Sequence, residues 1–155
     1  MSMETWTDEG YGIVNDAALN QKYVDLIRKL SQEVPADCEM VFISRYDRQA
    51  YLKELDRCII AEDSIDEAID TFYGFIPLDF LARYLNFKLD CVGFYAPSRD
   101  DDDVFGLLYA PLYPWEGKEG DRKITQEIID KKLTTIAEAL GWDIKPDKQV
   151  LHYCG

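Results

Sequence analysis

A chain of 155 residues has the length of one ordinary domain, and its 47% hydrophobic content is enough for a sizeable core. Its aromatic content of 13% excludes a disordered acidic tail, and no apolar run approaches the roughly 20 residues that a membrane-spanning helix needs. Thirty Asp and Glu residues against 17 Lys and Arg residues give a formal net charge of −13, which repels nucleic acid and anionic membranes.

The N-terminal residues and the cysteines indicate where the protein works. Residues 1–9 are acidic and lack the basic and apolar regions of a secretion signal, so we expect a soluble cytoplasmic protein. The cysteines lack Cys-x-x-Cys spacing and lie in or beside apolar segments, which is typical of buried free thiols in a reducing compartment. They are Cys38, Cys58, Cys91 and Cys154.

The first third of the chain predicts a strand, a helix and a second strand. Gly10–Val14 is a short strand candidate, and Asn15 or Asp16 offers a side-chain oxygen that can cap a helix running to about Ser31. The apolar segment Cys38–Ser44 then predicts another strand. One face of the helix carries an apolar stripe at helical spacing, formed by Leu19, Tyr23, Leu26, Ile27 and Leu30.

The middle of the chain is predicted to be helical. Tyr46–Ala61 has apolar residues at helical spacing, although its end, Arg57–Ala61, also fits a short strand. Another helix begins at Asp63 or Ser64, because Ser64 and Glu67 have the spacing of a reciprocal capping pair.

A β-hairpin is the central feature of the predicted fold. Leu78–Asn86, with Pro77 at its start, predicts a largely buried helix that leads into it. The strands Cys91–Ala96 and Val104–Ala110 are almost continuously apolar, so we expect both to lie centrally in a sheet. One glycine in each strand marks a bulge or a close backbone approach: Gly93 and Gly106.

The last part of the chain predicts a polar connection, a helix and a closing strand. Gly117–Lys123 is the connection, and Thr125 caps a helix that runs to Leu140 and ends at Gly141. Lys148–Cys154 is the closing strand. We therefore predict one α+β domain over residues 1–155, with a four- to five-stranded, mostly antiparallel sheet around the central hairpin and helices mainly on one face.

Few residues suggest a specific chemistry. The Asp100–Asp103 run lacks the ligand spacing of a calcium loop, so it predicts a solvated loop or an acidic tip that faces a partner. His152 and Cys154 share one face of a strand, but no other ligands or base complete a zinc site or a nucleophilic pair. We assign no catalytic residue, metal ligand or cofactor, which argues against an enzyme without excluding one.

The sequence favours an interaction protein over other classes. Immunity proteins and phage-type anti-defence proteins have a similar acidic profile, which is an analogy of composition only. We expect a carboxylate-rich face that docks on a basic protein partner, with no direct binding to nucleic acid or membrane. The residues assigned to this partner-binding face are Glu62, Asp63, Asp66, Glu67, Asp70, Asp100, Asp101, Asp102, Asp103, Tyr113 and Trp115.

One alternative is a small enzyme or a small-molecule-binding domain. Its pocket would lie near the Tyr113–Trp115 segment, where aromatic residues alternate with prolines. Such a segment suits a recognition patch and equally the edge of a core. A third possibility, a structural subunit of a homo-oligomer, needs an exposed apolar patch that a sequence does not reveal.

Overall fold

A computed structural model describes residues 5–16, 19–42, 47–65, 67–68, 78–97, 105–110 and 123–154. Within these ranges the strands and helices form an α+β fold. In chain order the elements are β1 (Thr5–Asn15), α1 (Gln21–Ser31), α2 (Arg48–Ala61), α3 (Asp79–Leu89), β2 (Phe94–Tyr95), β3 (Phe105–Tyr109), α4 (Gln126–Leu140) and β4 (Asp147–Cys154).

The strands form an antiparallel sheet in the order β2-β3-β1-β4. The expected hairpin is present, because β2 pairs with β3 with Phe94 opposite Tyr109. β3 lies in the interior of the sheet, where it pairs with β1 and places Leu107 opposite Ile13. The apolar run of the first hairpin strand predicts a central position in the sheet. This prediction is wrong, because β2 lies at the edge of the described sheet. The α+β class and the antiparallel sheet are confirmed.

The strand predicted from Cys38 to Ser44 is wrong for residues 38–42. These residues form turns, in which the amides of Val41 and Phe42 donate to the Cys38 carbonyl oxygen at 3.2 and 2.9 Å. Val41 and Phe42 are nevertheless almost completely buried. The apolar run therefore reflects burial and not strand pairing, an ambiguity that periodicity alone does not resolve. Residues 43 and 44 lie outside the described ranges.

Helix α1 begins later than expected. Asn15 is the last residue of β1, and the cap is Asn20, whose side-chain oxygen accepts a hydrogen bond from the Lys22 amide at 2.9 Å. The prediction of Asn15 or Asp16 as the cap was wrong because β1 continues through Asn15, which lies opposite Phe105 of β3. The predicted apolar stripe of α1 is buried in full.

The bounds of the other helices agree more closely with those predicted from the sequence. α2 is helical to Ala61, so the alternative strand at its end is not formed. α4 begins after the Thr125 cap and ends at Gly141, whose φ of 75° is the left-handed cap that glycine favours. α3 runs to Leu89, three residues beyond the expected end, and is preceded by Leu78 at a φ of 73°. α3 contacts β2 and β3, α4 contacts β1, and α1 contacts both α3 and α4.

The hairpin glycines and the residue after the α4 cap show how tightly these segments pack. A Cβ atom on Gly93 would lie 2.4 Å from the Tyr109 ring, so the predicted close approach at Gly93 is confirmed. At Gly106 the nearest atom would be 3.4 Å away, in Pro97, which is an ordinary contact. Trp142 is 6% exposed and follows the α4 cap, a core position that helical periodicity did not indicate.

Candidate functional site

The structure describes only part of the predicted partner-binding face. Glu62, Asp63 and Glu67 lie within the described residues. Glu62 is half-buried, and Asp63 and Glu67 are exposed. The other predicted residues lie outside the described ranges: Asp66, Asp70, Asp100, Asp101, Asp102, Asp103, Tyr113 and Trp115.

The described part of this face is the end of helix α2 and the residues that follow it, which we call the α2 end: Ile60, Glu62, Asp63 and Glu67. Glu62 is the C-terminal cap residue of α2, with extended backbone. The next helical residues begin at Ile65, and the hydroxyl of Ser64 before it accepts a hydrogen bond from the Glu67 amide at 3.1 Å. This bond confirms the Ser64 half of the predicted capping pair.

Glu62 carries negative charge where helix α2 disfavours it. The C-terminus of a helix has a partial negative charge, and a carboxylate there is unfavourable by about 0.3–1 kcal/mol at low ionic strength. No basic residue occupies the last turn of α2. Glu62 and Asp63 form no ion pair in the part of the chain that the structure describes. Their charge is therefore not neutralised by this part of the fold.

Carboxylates farther back on α2 are placed differently. Asp56 pairs with Arg28 of α1, and Glu54 pairs with Arg57 one turn along the same helix. The hydrogen bond from Arg57 lowers the pKa of Glu54. These carboxylates belong to ion pairs within the chain, whereas the half-buried Glu62 and the exposed Asp63 have no such cation among the described residues.

An exposed apolar residue lies next to these charges. The side chain of Ile60 is 85% exposed, the highest value among the exposed large apolar residues of the described chain. A lone exposed apolar side chain is common on protein surfaces and carries little information. Here it lies within the same short segment as the uncompensated carboxylates.

A polar cluster joins the sheet to α4. The Tyr11 hydroxyl on β1 donates to the Asp130 carboxylate, and the Gln126 side-chain amide donates to the same hydroxyl at 3.4 Å. The Asp130 hydrogen bond is the main cause of a raised Tyr11 pKa, because it is lost when the phenol ionises. These hydrogen bonds join β1 to α4, so we assign the cluster a structural role between the two elements.

A groove lies where α1, α3 and α4 meet, and we call it the α1/α3/α4 groove. Its volume is about 380 Å³. The apolar residues of its floor are Leu26, Leu30, Leu85 and Ile136. The polar and charged residues of its lining are Lys29, Glu33, Tyr84, Lys131, Lys132 and Thr135.

Tyr84 and Glu33 form a fixed polar pair in the groove. The Tyr84 hydroxyl donates to Glu33 Oε2 at 3.1 Å, and Lys88 Nζ lies 3.9 Å from Glu33 Oε1. Burial, followed by the hydrogen bond to Glu33, raises the pKa of Tyr84 to about 12. The phenol is therefore neutral at ordinary pH. Sequence reasoning missed this groove because its residues come from three helices separated along the chain.

The sequence candidates for metal and thiol chemistry gain no support. The described residues contain no group of three or more His, Cys, Asp or Glu residues that could hold a metal ion. His152 and Cys154 lie on β4 opposite Thr7 and Thr5, and their side chains are outside the described part of the chain.

The cysteines of the described residues lie in or near the core, as expected. Cys58 and Cys91 are buried, and Cys38 is half-buried. The Cys91 thiol donates to Asn86 Oδ1 at 3.3 Å.

Comparison of the chain with protein-family models, curated proteins and solved structures finds no match. Among the described helices, none has the length and apolar character required to cross a membrane. The functional argument therefore depends on the geometry and charge of the α2 end and the groove.

Proposed function

We propose that this protein is a small acidic binding or inhibitor protein that docks a carboxylate-rich face on a basic protein partner. The observation that best supports the proposal is the α2 end, where the exposed Ile60 lies close in sequence to Glu62 and Asp63. Protein interfaces commonly combine a central apolar contact with a polar rim. The charged rim directs the approach of the partner, and the apolar contact excludes water.

The position of the charges gives a physical reason for a basic partner. Glu62 lies at the negative end of α2, and no described cation compensates Glu62 or Asp63. A Lys or Arg side chain of a partner would remove this unfavourable charge. The net charge of −13 adds a long-range attraction for a basic surface.

The proposed face extends beyond the described residues. Asp66, Asp70, Asp100–Asp103, Tyr113 and Trp115 belong to it by the sequence argument alone. The alternative of a small enzyme or small-molecule-binding domain placed its pocket beside Tyr113 and Trp115. The described lining of the α1/α3/α4 groove comes from α1, α3 and α4.

The first test identifies the partner. The protein serves as bait in lysate of its native host that has been treated with nuclease, and the retained proteins are eluted at increasing salt. We expect a basic protein that elutes as salt rises, because screening weakens attraction between exposed charges. Retention of acidic proteins alone, or retention that does not depend on salt, would contradict an acidic docking face.

The second test uses the purified partner and charge-matched variants. The double change Glu62→Lys with Asp63→Lys should slow association about tenfold at low salt, and the difference should shrink as salt increases. The control is Asp37→Lys with Asp143→Lys, which changes the net charge equally at two other exposed positions. Equal slowing in both variants would mean that net charge acts without a defined face.

A third set of variants separates the apolar contact from the acidic loop. Ile60→Ala should speed dissociation with little effect on association, because short-range contacts act after the encounter. Reversal of Asp101, Asp102 and Asp103 to Lys should slow association if the loop belongs to the face. Unchanged binding after that reversal would remove the loop from the proposed face.

A further inference from the structure

The α1/α3/α4 groove concentrates positive charge on a protein whose overall charge is strongly negative. Lys29, Lys131 and Lys132 line it, and Glu33 is the only carboxylate among its lining residues in the described chain. Glu33 already accepts a hydrogen bond from Tyr84 and lies within ion-pair distance of Lys88. Its negative charge is therefore engaged, and the three lysines form no ion pair with described residues.

Helix electrostatics accounts for two of these lysines and not for the third. Lys29 lies in the last turn of α1, where a cation favours the helix. Lys131 and Lys132 lie in the interior of α4, beyond the reach of either helix end. Lys131 follows Glu127 by the four-residue spacing that supports a helix, whereas Lys132 has no carboxylate three or four residues away on α4. Helix electrostatics therefore does not account for Lys132 beside the apolar floor.

The neighbouring surface shows that this charge is local. A second depression shares Leu26, Lys29 and Ala139 with the groove, and its other lining residues are Lys22, Asp25 and Glu138. Two ammonium groups and two carboxylates balance each other there. The excess of positive charge therefore begins where Lys131 and Lys132 contribute, which is also where the apolar floor lies.

The floor determines what kind of anion suits the groove. Leu26, Leu30 and Ile136 are at least 92% buried yet contribute to its lining, as does Leu85. Pockets that bind small molecules have volumes of roughly 300–1,000 Å³ and combine an apolar lining with a few placed polar groups. At about 380 Å³ the groove falls at the lower end of this range. A free inorganic anion would leave the apolar floor unused.

We infer that the α1/α3/α4 groove binds a small amphiphilic anion. The apolar body of the ligand lies on the leucine and isoleucine floor, and its carboxylate or phosphate head lies among Lys29, Lys131 and Lys132. The inference is independent of the proposed docking function, because none of the α2-end residues lines the groove.

The binding test uses simple probes that vary the head while keeping the chain. Decanoate, decyl phosphate, decanol and decyltrimethylammonium are titrated into the isotopically labelled protein below their micelle-forming concentrations, and backbone amide shifts are recorded by NMR. We expect saturable shifts of α1, α3 and α4 amides with the two anions. Decanol should bind about tenfold more weakly, because a desolvated anion contact contributes about 1.4 kcal/mol or more.

Comparison of the two anions identifies the preferred head. Tighter binding of decanoate assigns the site to carboxylates, and tighter binding of decyl phosphate assigns it to phosphate esters. Equal or tighter binding of decyltrimethylammonium would overturn the inference, and so would shifts that map to other elements or never saturate.

Two kinds of variant connect binding to the groove. The triple change Lys29→Gln, Lys131→Gln and Lys132→Gln should weaken decanoate about tenfold, whereas Lys53→Gln, an exposed lysine of α2, should leave binding unchanged. Ala139→Phe fills the exposed rim and should weaken decanoate and decanol alike. Circular dichroism checks that each variant is folded. Unchanged decanoate affinity in both folded groove variants would overturn the inference.

Discussion

The α2 end carries carboxylates and the α1/α3/α4 groove carries lysines, and the two regions also place their apolar residues differently. At the α2 end the apolar residue, Ile60, projects into solvent, and Glu62 and Asp63 form no described ion pair. In the groove the apolar residues form a buried floor, and the lysines stand at the rim. The first arrangement suits contact with a protein surface, and the second suits enclosure of a small ligand.

The difference shows that net charge alone is a poor guide to local binding chemistry. A value of −13 predicts attraction to basic partners across the whole molecule. Lys131 and Lys132 nevertheless create a positive region within one helix of the same chain. At physiological ionic strength, charges separated by more than about 8 Å are largely screened, so each region acts on its own neighbours.

The largest expected effect on stability comes from the groove floor, and it is compared with the effect of the apolar residue at the α2 end. Ile136→Ala should lower the free energy of unfolding by about 2–5 kcal/mol, because the side chain is 4% exposed and its removal leaves a cavity. Ile60→Ala should change it by no more than about 0.5 kcal/mol, because that side chain is already in water. Urea denaturation followed by circular dichroism measures both values.

The measured unfolding free energies test whether Ile60 is a free contact and Ile136 a structural residue. A loss above about 1 kcal/mol in Ile60→Ala would mean that the residue packs within the fold, and it would no longer be available to a partner. A small loss of unfolding free energy in Ile136→Ala would mean that the groove floor is loosely packed. Either result would remove the contrast between a structural floor and a free contact.

A middle-sized effect concerns the start of α1, the helix that forms one wall of the groove. Asn20→Ala should cost about 1 kcal/mol of unfolding free energy, because the side-chain oxygen caps the Lys22 amide. Asp16→Ala should cost less than about 0.5 kcal/mol, because Asp16 is exposed and precedes the helix. Thermal denaturation of both variants checks the assignment, and the reverse order would restore Asp16 as the cap.

This cap illustrates how far the sequence predicts the fold. Local signals were sufficient for the Thr125 cap, the Gly141 cap and the buried stripe of α1, because each depends on residues within one or two turns. The cap of α1 was misplaced because pairing with β3, a distant segment, extends β1 to Asn15. The turns at residues 38–42 were misread for another reason, because the apolar residues that are buried there, Val41 and Phe42, resemble part of a strand in sequence.

The two candidate sites also differ in how far the sequence predicts them. The α2 end was predictable in part, because Glu62, Asp63 and Glu67 are close along the chain. The groove was not, because Lys29 and Lys131 line one cavity only when α1 packs on α4. No periodicity or spacing in a single sequence reports such a contact.

The smallest expected effect tests whether the α2 end is electrostatically unfavourable in the free protein. Glu62→Gln removes a negative charge from the C-terminal end of α2 and should raise the free energy of unfolding by about 0.3–1 kcal/mol at low salt. Glu127→Gln is the matched control with the opposite sign, because Glu127 lies in the first turn of α4, where a carboxylate is favourable. Urea denaturation at low salt and again at 1 M salt measures both changes.

Both changes should disappear at 1 M salt, because the screening length falls to about 3 Å. A stabilised Glu62→Gln variant would mean that the free protein carries a charge that a cationic partner relieves on binding. Destabilisation of Glu62→Gln would instead mean that Glu62 serves the fold. The argument for a basic partner would then depend on the net charge and on the carboxylates beyond the described residues.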